Sequence, residues 1–162
     1  MLEDKITHIV LLCKLEKQRI LEDVVRDSEA EKIYSTVPDR RDDSLFHAFA
    51  SLLQKAGIEI LEQKFLLEGC FLPSGTHTQK KVETQTLLDD IEFGYNLSRR
   101  VGSLDIGQTA IVCEKMILAI EAIEGTDAAI ARAGTILKHY KGKSTGVVCK
   151  TAKASQDARF DL

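Results

Sequence analysis

Three stretches carry residue types and spacings that can act on an anion. In LDIGQTAIV (104–112), Gly107 and Gln108 stand directly before an apolar run. Glycine lets a backbone or a ligand come close, and an amide offers both a donor and an acceptor. Read as a plain turn glycine, Gly107 carries no function. In EAIEGTDAAIARAG (121–134), an apolar run ends, Gly125 turns the chain, and Thr126 or Asp127 caps a helix. A strand–glycine–helix junction aims unpaired N–H groups at one spot, which favours phosphate. Asp127 is either a helix cap or, beside a cation, a ligand. Arg132 follows on the same helix, among alanines small enough to let a backbone or ligand approach.

The third stretch is GVVCKTAKASQDARFDL (146–162). Lys150 and Lys153 leave a strand end, and Gln156, Asp157, Arg159 and Asp161 follow. In extended geometry Asp157, Arg159 and Asp161 share one face. Carboxylates so placed can hold a divalent cation and polarise water, while lysines bind phosphate oxygens. Against this stands the default for any chain end, a solvated tail. A site is favoured because all three stretches adjoin strand ends in the same half. No Walker A loop and no Gly-x-Gly-x-x-Gly motif is present, and His8, His47, His77 and His139 are scattered, which argues against a two-metal phosphoesterase of the usual kind.

The elements that must position these residues follow from hydrophobic period. THIVLLCKL (7–15) reads as a buried strand, residues 16–42 as partly helical, and IEIL (58–61) as the next strand. In DDSLFHAFASLLQKAG, Leu45, Phe46, Phe49, Leu52, Leu53 and Ala56 form an amphipathic stripe, with Asp43 or Ser44 as cap and Gly57 as terminator. FLPSGTHTQKK (71–81) reads as a linker. Leu87, Leu88, Ile91, Tyr95 and Val101 predict a helix ending at Gly102, and TAIVCEKMILAI predicts a hairpin turning at Glu-Lys. A helix over 127–140 and a strand over 146–149 complete an alternation that predicts α/β in both halves. The expected division is a domain over 1–70, the linker 71–81 and a second domain over 82–162.

The 162 residues carry a net charge of −3, but residues 138–162 hold six cations against two carboxylates, leaving −7 on residues 1–137. A local basic cluster on an acidic chain suits a discrete anion better than a nucleic acid, so no nucleic-acid partner is expected. Cys13, Cys70, Cys113 and Cys149 stand far apart with no Cys-x-x-Cys pair, and read as buried free thiols of a reducing compartment. No signal peptide and no apolar run near twenty residues is found, so a cytoplasmic location is expected.

LDIGQTAIV, AIEAIEGTDAAIARAG and GVVCKTAKASQDARFDL, in this order, resemble one bacterial family: the UDP-2,3-diacylglucosamine pyrophosphatases of lipid A synthesis, of the two-domain α/β type rather than the metallophosphoesterase type. DDSLFHAFASLLQKAGIEIL and LPSG are similar to its segments before and at the linker. Family members run past this chain at both ends, so the resemblance implies two incomplete domains: a first, nucleotide-fold-like one and a second, catalytic one. Ala154 stands where a proline is usual, and Cys13 where a glycine is usual.

The resemblance implies Mg²⁺-dependent hydrolysis of UDP-2,3-diacylglucosamine to UMP and 2,3-diacylglucosamine 1-phosphate, an activity that the stretch in hand need not retain by itself. It makes Asp157 or Asp161 the essential carboxylate, and Asp127, Asp157 and Asp161 the metal ligands. Lys150, Lys153 and Arg132 would neutralise phosphoryl charge. Gly125 and Thr126 would bind phosphate, and Gly107, Gln108, Gln156 and Arg159 would contact substrate. The implied partners are a lipid-linked sugar nucleotide and, transiently, the inner membrane surface; whether the chain forms a homodimer is left open by the sequence. The alternative reading is a non-catalytic module that binds a nucleotide or a phospholipid headgroup.

Overall fold

The computed structural model describes residues 5–12, 27–82, 84–140, 145–153, 157 and 159. They fall into two compact units, one drawn from residues 1–72 with 157–162 and the other from 73–156. Both mix helices with strands.

In the first unit, β1 (His8–Val10) pairs in parallel with β2 (Glu59–Leu61), Ile9 lying opposite Ile60. Between them in sequence come α1 (Ser28–Thr36) and α2 (Asp42–Lys55). The inner face of α2 gives Ala50 and Leu53 to a core with Ile58 and Ile60, against which Ile9, Leu11, Phe46 and Phe49 pack. Leu52, counted in the stripe, is exposed. The N-cap of α2 is Arg41, two residues before the first expected cap, Asp43, and it makes no side-chain cap bond; the Ser44 hydroxyl donates to Asp39 instead, at 2.6 Å. Its end is as the sequence predicts. Gly57 takes φ +76, and the N–H groups of Gly57 and Ile58 donate to the Gln54 and Leu53 carbonyls, satisfying the orphan acceptors of the last turn. A short helix α3 (Lys64–Leu67) and a 3-10 turn (Glu68–Cys70) follow, in a stretch without helical period. Buried Gln63 reaches across to the Leu11 carbonyl at 2.8 Å.

The second unit opens with α4 (Gln85–Ser103), capped by the Thr84 hydroxyl. Its sheet has the order β4 (Met116–Ile120), β3 (Thr109–Cys113), β5 (Val147–Lys150), antiparallel throughout. The central strand β3 is buried along its whole length. Ala110 and Val112 turn to the face covered by α4, where Gly94 lies against Cys149 and Val112. Ile111 turns to the other face, where Ala129 and Ala133 of α5 (Thr126–Lys138) pack with Ala119 and Leu118. Ala129 and Ala133 are the alanines of α5 that the sheet covers, whereas Ala128 and Ala131 are exposed. Because β3 runs against both neighbours, its first residue lies beside the last residues of β4 and β5: Thr109 pairs with Lys150, and the Glu121 N–H donates to the Thr109 carbonyl at 2.9 Å. No helix among the described residues is long and apolar enough to cross a membrane.

Candidate functional site

Three strand ends therefore meet at one edge of the second unit, and a single carboxylate joins them. Glu121, the residue after β4, accepts the Thr126 hydroxyl at 2.9 Å through Oε1 and the Gln108 backbone N–H at 3.3 Å through Oε2. The hydroxyl of Thr109, which is wholly buried, lies 3.5 Å from that of Thr126. Lys150 Nζ, at the end of β5, donates to Thr126 Oγ1 at 3.5 Å. Burial opposes the charge on Glu121, yet bonds from Thr109, Thr126 and the Gln108 N–H, with the Lys150 ammonium nearby, outweigh it and hold the carboxyl below its ordinary range.

The glycines serve this arrangement. A Cβ on Gly107 would lie 2.8 Å from the Glu121 carbonyl carbon, so only glycine lets the α4–β3 loop close onto the end of β4. What approaches Gly107 is thus the protein's own backbone. Gly125 takes φ +83 and is itself the N-cap of α5, without a side-chain cap bond. Neither Thr126 nor Asp127 caps the helix, contrary to the expectation, because the Thr126 hydroxyl is drawn to Glu121. Asp127 stands exposed in the first turn.

The remaining cations are placed differently. Arg132 Nη2 donates to the Ile120 carbonyl at 2.9 Å and to Glu124 at 2.6 Å, clamping the β4–α5 loop to the strand it leaves. Bonds from its own backbone N–H and from Arg132, against a burial effect, hold Glu124 below the ordinary carboxylate range. Lys153 pairs with Asp105 at 2.7 Å, and only 8% of its side chain is exposed.

The end of the chain forms a separate constellation. Asp157 Oδ1 accepts both the backbone N–H and the Nε of Arg159 at 3.0 Å, and Oδ2 accepts Nη2 at 2.6 Å. The Arg159 guanidinium holds the Asp157 carboxyl below its usual range, burial opposing and His47 assisting, and the same bonds raise Arg159. This is a local turn closed by an aspartate on the N–H two residues on, a conformation that competes with the extended chain expected here. Asp157 and Arg159 group with the first unit, whereas Gln108, Thr126 and Lys150 belong to the second. Gln156, Asp161, Cys13 and Ala154 lie outside the described residues.

The second unit thus brings Gly107, Gln108, Thr126 and Lys150 together. Glu121, Thr109, Glu124 and Asp105 were missed by pattern reading. The available signal was a carboxylate at the very end of an apolar run, directly before a glycine turn. Among the described residues no three His, Cys, Asp or Glu side chains form a group that could hold a metal ion.

Comparison with known proteins gives two family models and one relative. The model described as the LpxI N-terminal domain matches residues 1–70, and that described as the LpxI C-terminal domain matches residues 73–162. The UDP-2,3-diacylglucosamine pyrophosphatase LpxI of Caulobacter vibrioides is 35% identical over 124 residues, which cover 75% of this chain and 44% of that protein. The match thus spans less than half of the relative's length.

Proposed function

The chain belongs to the LpxI family, and on that premise we propose that it takes part in hydrolysing UDP-2,3-diacylglucosamine to UMP and 2,3-diacylglucosamine 1-phosphate, a step of lipid A synthesis. Water attacks the phosphorus on the sugar side, the anhydride bond to that phosphorus breaks, and UMP leaves with the bridging oxygen. The observation that carries this reading is the strand-end cluster: Lys150, the Gly125 turn and the first turn of α5 adjoin one another at the edge where β3, β4 and β5 meet. Helix-start N–H groups and an ammonium are the groups that stabilise a charged diphosphate and the further charge of its transition state. Lys150 is the cation best suited to the phosphate oxygens. Lys153 is engaged by Asp105, and Arg132 by Glu124 and the Ile120 carbonyl.

The proposed cofactor is Mg²⁺. A hard cation of this size binds through one or two carboxylates plus phosphate oxygens and keeps several waters, so it does not need a three-ligand protein cage. Exposed Asp127, in the first turn of α5, is the described carboxylate chemically suited to it at this edge. The ion would supply Lewis-acid neutralisation of phosphoryl charge. Asp157 or Asp161 is proposed to orient the attacking water, at the inner membrane's cytoplasmic face where a lipid-linked substrate is met.

The test is release of UMP from UDP-2,3-diacylglucosamine, with and without Mg²⁺, by the chain and by Asp157→Ala and Asp161→Ala. Mg²⁺-dependent release that either substitution abolishes, with the thermal transition retained, is the expected outcome. Unchanged rates in both variants overturn the carboxylate assignment. Calorimetric binding of UDP with no product at all points to the non-catalytic binding module.

A further inference from the structure

We infer that Glu121 is the positioning residue of the diphosphate site, acting through Thr126 on Lys150; the inference rests on the function proposed above and assigns a role that it does not contain. An ionised carboxylate only accepts hydrogen bonds. The single proton of Thr126 therefore goes to Glu121 Oε1, at 2.9 Å. What the hydroxyl then offers its other neighbours, the Thr109 hydroxyl and Lys150, is lone pairs, and these meet Lys150 Nζ at 3.5 Å. Thr126 has no proton left for a phosphate oxygen. Its part is to hold the ammonium, and the ammonium, with its remaining N–H bonds, meets the anion.

The same carboxylate fixes the rest of the edge. Oε2 takes the Gln108 N–H, and the Gln108 carbonyl in turn takes the Thr151 N–H at 3.0 Å, so the start of β3 and the continuation of β5 are tied to one group. Gly107 lets that loop close, and its backbone contact is with Glu121 itself. Three hydrogen-bonding groups, with the Lys150 charge nearby, thus converge on an acid that burial alone would discourage. Buried polar groups are costly when left without partners, and here each is a partner to the next. Removing the carboxylate frees the Thr126 proton to rotate, unlatches Lys150 and releases the turn before α5.

The experiment is calorimetric binding of UDP and of inorganic pyrophosphate to the chain, as wild type and as Glu121→Ala, Glu121→Gln, Lys150→Ala, Thr126→Ser and the double variant Glu121→Ala with Lys150→Ala. Asp90→Asn is the control, since it loosens the same unit away from this edge. Expected are a loss of about tenfold or more for Glu121→Ala and for Lys150→Ala, and a double variant no weaker than Lys150→Ala alone, because coupled residues are not additive. Retained binding is expected for Thr126→Ser, and an unchanged Kd at a lowered Tm for Asp90→Asn. A purely structural role would move Tm in Glu121→Ala without this coupling. If Glu121→Ala does not fold, Glu121→Gln carries the test. Wild-type binding with Glu121 variants that bind equally well, or with losses that simply add, overturns the inference and leaves the proposed function standing. Wild-type binding of neither probe overturns both.

Discussion

Glu121 and Asp90 are two acids in one unit, set to different work by what surrounds them. Asp90 is 1% exposed, within α4, and its two oxygens accept the N–H groups of Glu114 and Lys115, each at 2.7 Å. Those residues form the two-residue turn between β3 and β4, both at positive φ, 51° and 59°. Neither is a glycine or an asparagine, the residues such a turn favours. Asp90 satisfies the turn's N–H groups, so the hairpin holds with an unfavourable sequence. Glu121 is different in being half-buried, beside a cation and at a chain edge. Its carboxyl lies below its ordinary range, so its contribution is present above about pH 4.5 and is lost as pH falls through the folded value. Glu121→Gln should therefore lower Tm at pH 7, and the gap to wild type should close towards pH 3. Differential scanning calorimetry across that range checks it; a gap that is constant with pH sinks the assignment of a charged Glu121.

The elements were legible where a period was long. The amphipathic helix before Gly57, the helix after the linker, the Glu-Lys hairpin and the helix after Gly125 all appear where apolar spacing and turn residues put them. The first strand is shorter than its apolar run suggests, and α3 lies in four residues that no period can mark. The capping residues were misjudged at both α2 and α5, because a hydroxyl's partner is chosen by tertiary structure: Ser44 goes to Asp39, and Thr126 to Glu121. Close packing was equally hidden. Nothing local distinguishes Gly94 from an alanine, yet a Cβ there would lie 2.7 Å from Cys149 Sγ and 3.1 Å from Val112. Alanine is the better helix former by about 1 kcal/mol, so on an open helix Gly94→Ala would stabilise. Overpacking a close-packed site costs about 1–3 kcal/mol, and here it should win. The expected result is a lower urea midpoint for Gly94→Ala with an unchanged m-value, partly restored by adding Cys149→Ala. A higher midpoint would show that α4 can move off the sheet.

At the scale of the whole molecule, the cysteines serve as reporters of one unit and not the other. Cys70, in the first unit, is exposed, while Cys113 and Cys149, on β3 and β5 of the second, are buried. Burial, with the Asp90 carboxylate adding to it, pushes the Cys149 thiol above its ordinary range, so in the closed unit this thiol is both covered and protonated. Alkylation in native buffer, read site by site by peptide mass spectrometry, should therefore modify Cys70 quickly and Cys113 and Cys149 only through opening of the β4-β3-β5 sheet. Opening is governed by the stability of that unit, because local unfolding free energies range from near zero up to the global value. Asp90→Ala removes two hydrogen bonds to a charged group, each worth about 1.5–3 kcal/mol, and a shift of about 1.4 kcal/mol is a tenfold change in the open population. Labelling of Cys113, the buried thiol of β3, should accelerate about tenfold or more in this variant, while the rate at Cys70 stays as in wild type. Equal acceleration at all three thiols would mean that the chain opens as a single body, and the division into two units would then have no energetic counterpart.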